Sequence, residues 1–151
     1  MVTLVAMTSE EYQRYVENAI VIFANEKVKA GNWTEEESLD RAKSDYETLL
    51  PQGEKSENNY LFTIYDNEQA VGIIWLARKS EDEGFIYEIL ISDEFRGMGY
   101  GKKAMQQLEV FGRELGLKKI GLHVFGHNKP ARGLYEKLGY IETNIKMEKV
   151  L

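Results

Sequence analysis

The run Ile89-Leu90-Ile91-Ser92-Asp93-Glu94-Phe95-Arg96-Gly97-Met98-Gly99-Tyr100-Gly101-Lys102-Lys103 reads as a strand, a short turn and the start of a helix. Its three alternating glycines leave the backbone N–H groups from Gly97 to Lys102 uncovered at a helix N-terminus. First-turn donors there lack intrahelical acceptors and face the positive end of the helix dipole, so the arrangement suits a phosphate. Arg96, Lys102 and Lys103 add positive charge. The same glycines also suit a plain turn ahead of an amphipathic helix whose Ala104, Leu108, Phe111 and Leu115 are core.

Two known phosphate motifs can be tested by letter. A Walker loop needs a glycine five positions before the glycine that precedes lysine; Arg96 stands there, and Lys103 stands where Ser or Thr is required. Gly99-x-Gly101-x-x-Ala104 fits a dinucleotide fingerprint, but no acidic residue ends the next strand-like run, and too little chain follows for a second mononucleotide half. A nucleotide-binding fold is therefore disfavoured.

A second run decides the matter: Leu122-His123-Val124-Phe125-Gly126-His127-Asn128-Lys129-Pro130-Ala131-Arg132-Gly133-Leu134-Tyr135-Glu136-Lys137-Leu138-Gly139-Tyr140. Arg-x-x-Gly-x-Gly at Arg96 to Gly101, a strand about 20 residues later ending near Asn128, and Ala-x-x-Leu-Tyr-x-x-x-Gly-Tyr together resemble the GNAT superfamily of N-acetyltransferases. The motifs lie between Phe85 and Tyr140, and the order of elements before them is also similar to that family's.

The resemblance implies an α/β GNAT fold, a central mixed, mostly antiparallel sheet flanked by about four helices, with acetyl-CoA as co-substrate. It implies that Arg96, Gly97, Met98, Gly99, Tyr100, Gly101 and Lys102 hold the pyrophosphate, largely through backbone N–H groups. The backbone of Ile89, Leu90 and Ile91 would pair with the pantetheine arm as an added strand would. Asn128 would touch the pantetheine side, and Tyr135 would bring its hydroxyl to the thioester sulfur. Read as bare residues, Asn128 equally suits an N-cap before Pro130, and Tyr135 shares a helical face with Ala131, Leu134 and Leu138.

Amine chemistry sets a requirement. A lysine-like amine has a pKa of ~10.4, so presenting it neutral at pH 7 costs about 4.6 kcal/mol, and some group must take its proton. Glu88 lies in the apolar run Phe85 to Ile91, where partial burial would raise a carboxylate toward neutrality and so make it a better base. His123 is the rival, on the strand face opposite Leu122 and Val124, with an imidazole better matched to neutral pH. Some members of the family carry an acidic residue at that strand position, and here it is histidine. The chain has no cysteine to carry an acetyl group, which favours direct attack in a ternary complex over an acyl-enzyme.

These residues need elements to hold them. Val2 to Ala6 reads as a strand; Thr8 with Glu11 and Thr34 with Glu37 have the form of capping boxes opening helices, the first near residues 9 to 29 and the second ending at Pro51. Tyr60 to Tyr65 and Ala70 to Arg78 read as strands joined by the turn Asp66-Asn67-Glu68-Gln69, with a third strand over Phe85 to Ile91. A helix to about Leu115, a strand Lys119 to Phe125, a helix Pro130 to Leu138 and a last strand segment after Gly139 complete the order.

At 151 residues and 43% hydrophobic, the chain has the size and the apolar content of one domain spanning 1–151. A net charge of −6 argues against non-specific nucleic-acid binding, and no run approaches the ~18 apolar residues of a membrane span. With no cysteine and no signal-like N-terminus, a cytoplasmic location is expected. Two histidines and no cysteine make a metal site unexpected. The acceptor amine, small molecule or peptide, is not legible, and the oligomeric state stays open, a homodimer included. Trp33 and Tyr46 could line the acceptor pocket, and Glu35, Glu36, Glu37 and Asp40 could attract a cation or simply form a solvated, dipole-favoured helix start. An acyl-CoA sensor without turnover is the alternative function.

Overall fold

In the computed structural model, which describes residues 1–151, both capping boxes form. Thr8 Oγ1 accepts from Glu11 N–H at 3.1 Å while Glu11 Oε1 accepts from Thr8 N–H at 2.9 Å, opening α1, Ser9–Lys29. Thr34 and Glu37 repeat the exchange at 3.3 Å each, opening α2, Glu35–Leu49. Each box satisfies two donors that a helix start would otherwise leave bare.

The strands β1 (Val2–Ala6), β2 (Asn59–Asp66), β3 (Gln69–Arg78), β4 (Glu83–Ile91) and β5 (Lys119–Leu122) form one sheet in chain order. The first four are antiparallel, and β5 joins β4 in parallel, which gives the mixed, mostly antiparallel sheet expected. The crossover from β4 to β5 is α3, Tyr100–Leu115; α4, Lys129–Lys137, follows β5.

Alternation along the strands divides the core in two. On one face Phe62, Ile64, Ile74, Leu76 and Ile86 pack with Ala104, Met105 and Leu108 of α3. On the other, Leu61 and Trp75 pack with Tyr12 and Val16 of α1 and with Leu50. The sheet is thus sandwiched, α3 and α4 on one side, α1 and α2 on the other.

Two departures shape the site. Trp75 pairs with Glu88 and Leu76 with Ile86, so Tyr87 is an extra residue and β4 carries a bulge. Tyr87 stacks on Trp75 at 4.6 Å, on the face that Glu88 also occupies. The parallel ladder to β5 stops at the same level, Ile86 with Leu122. The strand expected over Lys119 to Phe125 therefore ends three residues early, because its partner bends away at the bulge. The strand expected after Gly139 does not form either; residues 140 to 151 adopt no regular structure, and Ile141, Ile145 and Met147 stand exposed with no strand to pair with.

Candidate active site

Beyond Ile86, β4 has a neighbour on its β3 side only. Ser92 N–H donates to Val71 O at 2.9 Å, so by antiparallel alternation the backbone groups of Leu90 and Glu88 also face β3, while those of Ile89 and Ile91 face the vacant edge. The Ile91 carbonyl on that edge accepts from Arg96 Nε at 3.1 Å. Of the three residues expected to offer backbone to a ligand, Ile89 and Ile91 direct backbone groups to the vacant edge. Leu90 instead turns its side chain into the cleft described below.

Arg96 also pairs with Asp93 at 3.1 Å, so its guanidinium ties the end of β4 to the turn. After it Gly97 and Gly99 take φ of +75° and +83°, a conformation costly for any residue with a Cβ. A Cβ at either would meet no atom within 4 Å, so glycine is demanded by the backbone angle and the space above is open. The turn delivers α3 with no side-chain cap and no acidic residue in its first turn. Lys103 N–H bonds Gly99 O at 3.2 Å, whereas no backbone carbonyl accepts from the N–H groups of Gly97 to Lys102. That is the donor cradle the sequence implies, with Lys102 exposed beside it and Met98 58% exposed. Tyr100 anchors it, its hydroxyl donating to Asp66 at 2.5 Å. The residues present fit a diphosphate by their chemistry: convergent N–H donors, open space and local positive charge.

On the opposite face of β4 lies a cleft of about 430 Å³ between the sheet and α1. Glu88 and Leu90 form its floor with Gly72 and Ile73 of β3; Tyr15, Ala19, Phe23 and Glu26 line it from α1, and Tyr46 from α2. Gly72 is required by crowding: a Cβ there would come within 2.2 Å of Leu90 O. Glu88 is half-buried and accepts a short hydrogen bond from the Tyr15 hydroxyl. Burial holds the Glu88 carboxyl above the usual carboxylate range, Glu26 adds to that, and the Tyr15 hydrogen bond works against it. Tyr46 is pushed up to about 12 by burial and by Glu88 and Glu26.

Tyr135 sits near the end of α4, half-buried against the α3-face core, its ring 5.9 Å from that of Tyr140. Burial raises its phenol above 10. The hydroxyl is not among the buried atoms left without a partner, so it is open to solvent or a ligand. Asn128 is the N-cap of α4, Oδ1 accepting from Ala131 N–H at 3.3 Å; the capping reading of this residue is realised, and its Nδ2 remains a donor. His123 lies past the end of β5, exposed, in edge contact with Phe125 at 5.0 Å, and does not line the cleft that holds Glu88.

Tyr46 lines the cleft, but Trp33 does not: it packs edge-on against Phe23 at 5.5 Å and under the Arg41 guanidinium at 4.9 Å. Glu35, Glu36 and Asp40 are exposed at the start of α2 and away from the cleft, and Glu37 serves the capping box and an ion pair with Arg41 at 3.3 Å. Tyr15 is the site residue that sequence reading misses, since it shares the helix face of the buried Tyr12, Val16 and Ala19. Its one sequence signal is a phenol within that face, and nothing local links it to a partner 73 positions away. No helix is long and apolar enough to cross a membrane, and no group of three or more acidic or histidine side chains is placed to hold a metal.

Comparison with known proteins places this geometry. Residues 23–140 match the acetyltransferase (GNAT) family model. The chain is 37% identical to the uncharacterized N-acetyltransferase YdgE of Bacillus subtilis, covering 99% of this chain and 98% of that one. The crystal structure of the putative acetyltransferase YycN from Bacillus subtilis superposes with a TM-score of 0.88 at 35% identity, over 100% of this chain and 99% of the other. The spermidine N-acetyltransferase of Vibrio cholerae, solved with CoA and spermine, shares the fold at a TM-score of 0.70 and 21% identity, over 99% and 86% of the two chains.

Proposed function

This chain belongs to the acetyltransferase (GNAT) family, and from that premise we propose that it transfers the acetyl group of acetyl-CoA to a primary amine by direct attack in a ternary complex. One observation carries the reading. A single strand, β4, presents the half-buried Glu88 to a cleft on one face and bare backbone groups along its edge, and that edge runs into the N–H cradle at α3. A ligand with an extended amide-bearing arm and a diphosphate matches the edge and the cradle together.

Acetyl-CoA supplies the activated acetyl carbon, and the chain must do the rest. The N–H groups of Gly97 to Lys102 would hold the diphosphate, and the edge groups of Ile89 and Ile91 would align the arm beside Glu88. Glu88 takes a proton from the incoming ammonium, either directly or through one water, so that the nitrogen lone pair is free. In this reading the base is Glu88 and not the exposed His123, because a carboxylate raised by burial holds that proton more readily than an ordinary one. Tyr135, with its phenol above 10, is a weaker acid than a thiol at ~8.5, so it donates a hydrogen bond to the departing sulfur without surrendering its proton.

The test is CoA release across a panel of amines: polyamines, amino acids, aminoglycosides, peptide N-termini and protein lysines. Turnover on at least one is expected. Tight acetyl-CoA binding with no turnover on any would favour a non-catalytic acyl-CoA-binding module. The cradle has its own check, since acetyl-CoA at 100 times its Kd should stabilise the fold by about 2.7 kcal/mol. Gly99→Val forces a β-branched residue to adopt a φ of +83°, and should abolish most of the ligand-induced rise in melting temperature. An unchanged rise in the folded variant would remove the turn from the binding site.

A further inference from the structure

We propose that Tyr15 of α1 is a positioning residue for Glu88, fixing which carboxylate oxygen receives the proton from the acceptor amine. This rests on the assignment of Glu88 as base. The Tyr15 hydroxyl donates to Glu88 Oε1 across 73 positions of chain, joining α1 to β4 over the cleft floor. The bond takes one lone pair of Oε1 and withdraws charge from it, which leaves Oε2, with both lone pairs free, as the more basic oxygen. In the transfer an N–H bond of the ammonium breaks and an O–H bond forms at Oε2; the electron pair stays on nitrogen, and the pair of opposite charges is neutralised. The Tyr15 proton does not move.

The surroundings make this hydrogen bond the principal one acting on Glu88. The charged and titratable side chains around it are Glu11, Arg14, Tyr15 and Glu26 from α1 and Tyr46 from α2; β3 contributes only apolar side chains and Gly72. Both oxygens of Glu11 are already engaged, by Thr8 N–H and by the Tyr65 hydroxyl at 2.7 Å. Glu26 raises the proton affinity of Glu88, and burial raises it further, so the Tyr15 hydrogen bond is the one that favours the carboxylate. Tyr15 itself stays protonated, held far above its usual range by burial and by Glu88.

The experiment is Tyr15→Phe, which keeps the ring and deletes the donor. With any accepted amine, the acidic limb of kcat/KM should move to higher pH. Activity on that limb should fall roughly tenfold, the worth of one hydrogen bond to a charged acceptor, and the loss should narrow toward the plateau. Acetyl-CoA binding should be unchanged, which also certifies that the variant folds. A second readout needs no acceptor: the stability gap between wild type and Glu88→Gln opens above the unfolded value of about 4.3 and stops widening at the folded one, and in the Tyr15→Phe background that upper end of the divergence should move to higher pH. A limb and a divergence both unmoved by Tyr15→Phe would overturn the proposal. If Glu88→Gln keeps full activity while the divergence still moves with Tyr15→Phe, the pair is real but Glu88 is not the base, so the two failures are separable.

Discussion

Tyr135→Phe is expected to lower kcat by on the order of 10² to 10³, the range for removing one hydrogen-bond donor aimed at developing charge, while acetyl-CoA binding changes little. The hydroxyl meets charge that develops on sulfur only as the bond breaks, so it is worth more in the transition state than in the ground state. Because burial already raises this phenol, its contribution is hydrogen bonding, and no new pH limb should come or go with it. A residue that merely packs against the α3-face core would cost about 1 kcal/mol of stability on losing its hydroxyl and leave turnover intact. Single-turnover measurement, where chemistry limits the rate, separates the two; near-wild-type turnover would exclude the catalytic role.

Glu88→Gln should lose comparable activity, on the order of 10² or more in kcat/KM, together with the acidic limb of the pH profile. His123→Ala should retain that limb. The same substitution has a second consequence of opposite sign. A carboxyl whose folded-state pKa lies above its unfolded value contributes stability that is present below the unfolded pKa and is lost as pH rises through the folded one. At neutral pH Glu88 is therefore a burden on the fold, and Glu88→Gln, which keeps an oxygen for Tyr15, should melt higher than wild type. The difference should vanish as the pH falls below the unfolded value of about 4.3. Urea denaturation of both proteins at several pH values reads this directly; a variant less stable than wild type at pH 7 would contradict the burial argument. Loss of activity with gain of stability is the pattern of a residue kept for function.

Much of this arrangement was legible beforehand because its causes are local. Thr8 and Glu11 lie three residues apart and cap each other; Gly97 and Gly99 carry the positive φ that the turn needs; the alternation in β2 and β3 assigns each side chain a face. The misses are non-local. β5 ends at Leu122 because Tyr87, on a different strand, bulges and carries β4 away, and no feature of residues 119 to 125 encodes that. The strand expected after Gly139 exists only through a ladder, and no neighbour is supplied. Tyr15 gives no local sign of its role since its partner lies on another element, and of the two aromatics that could line the pocket, Trp33 is held away from it by Phe23 and Arg41.

The vacant edge of β4 also gives the chain a built-in reporter. Amide protons of Leu90 and Ser92 are directed to β3 and should exchange slowly with deuterium, whereas those of Ile89 and Ile91, one residue away in each case, are directed to solvent and should exchange fast. Occupation of the edge by an amide-bearing ligand would slow the fast pair and leave the slow pair almost unchanged. A comb of alternating exchange rates within one strand, flattened by acetyl-CoA but not by adenosine diphosphate, would register the arm and the diphosphate separately. It would do so before any acceptor for the acetyl group is known.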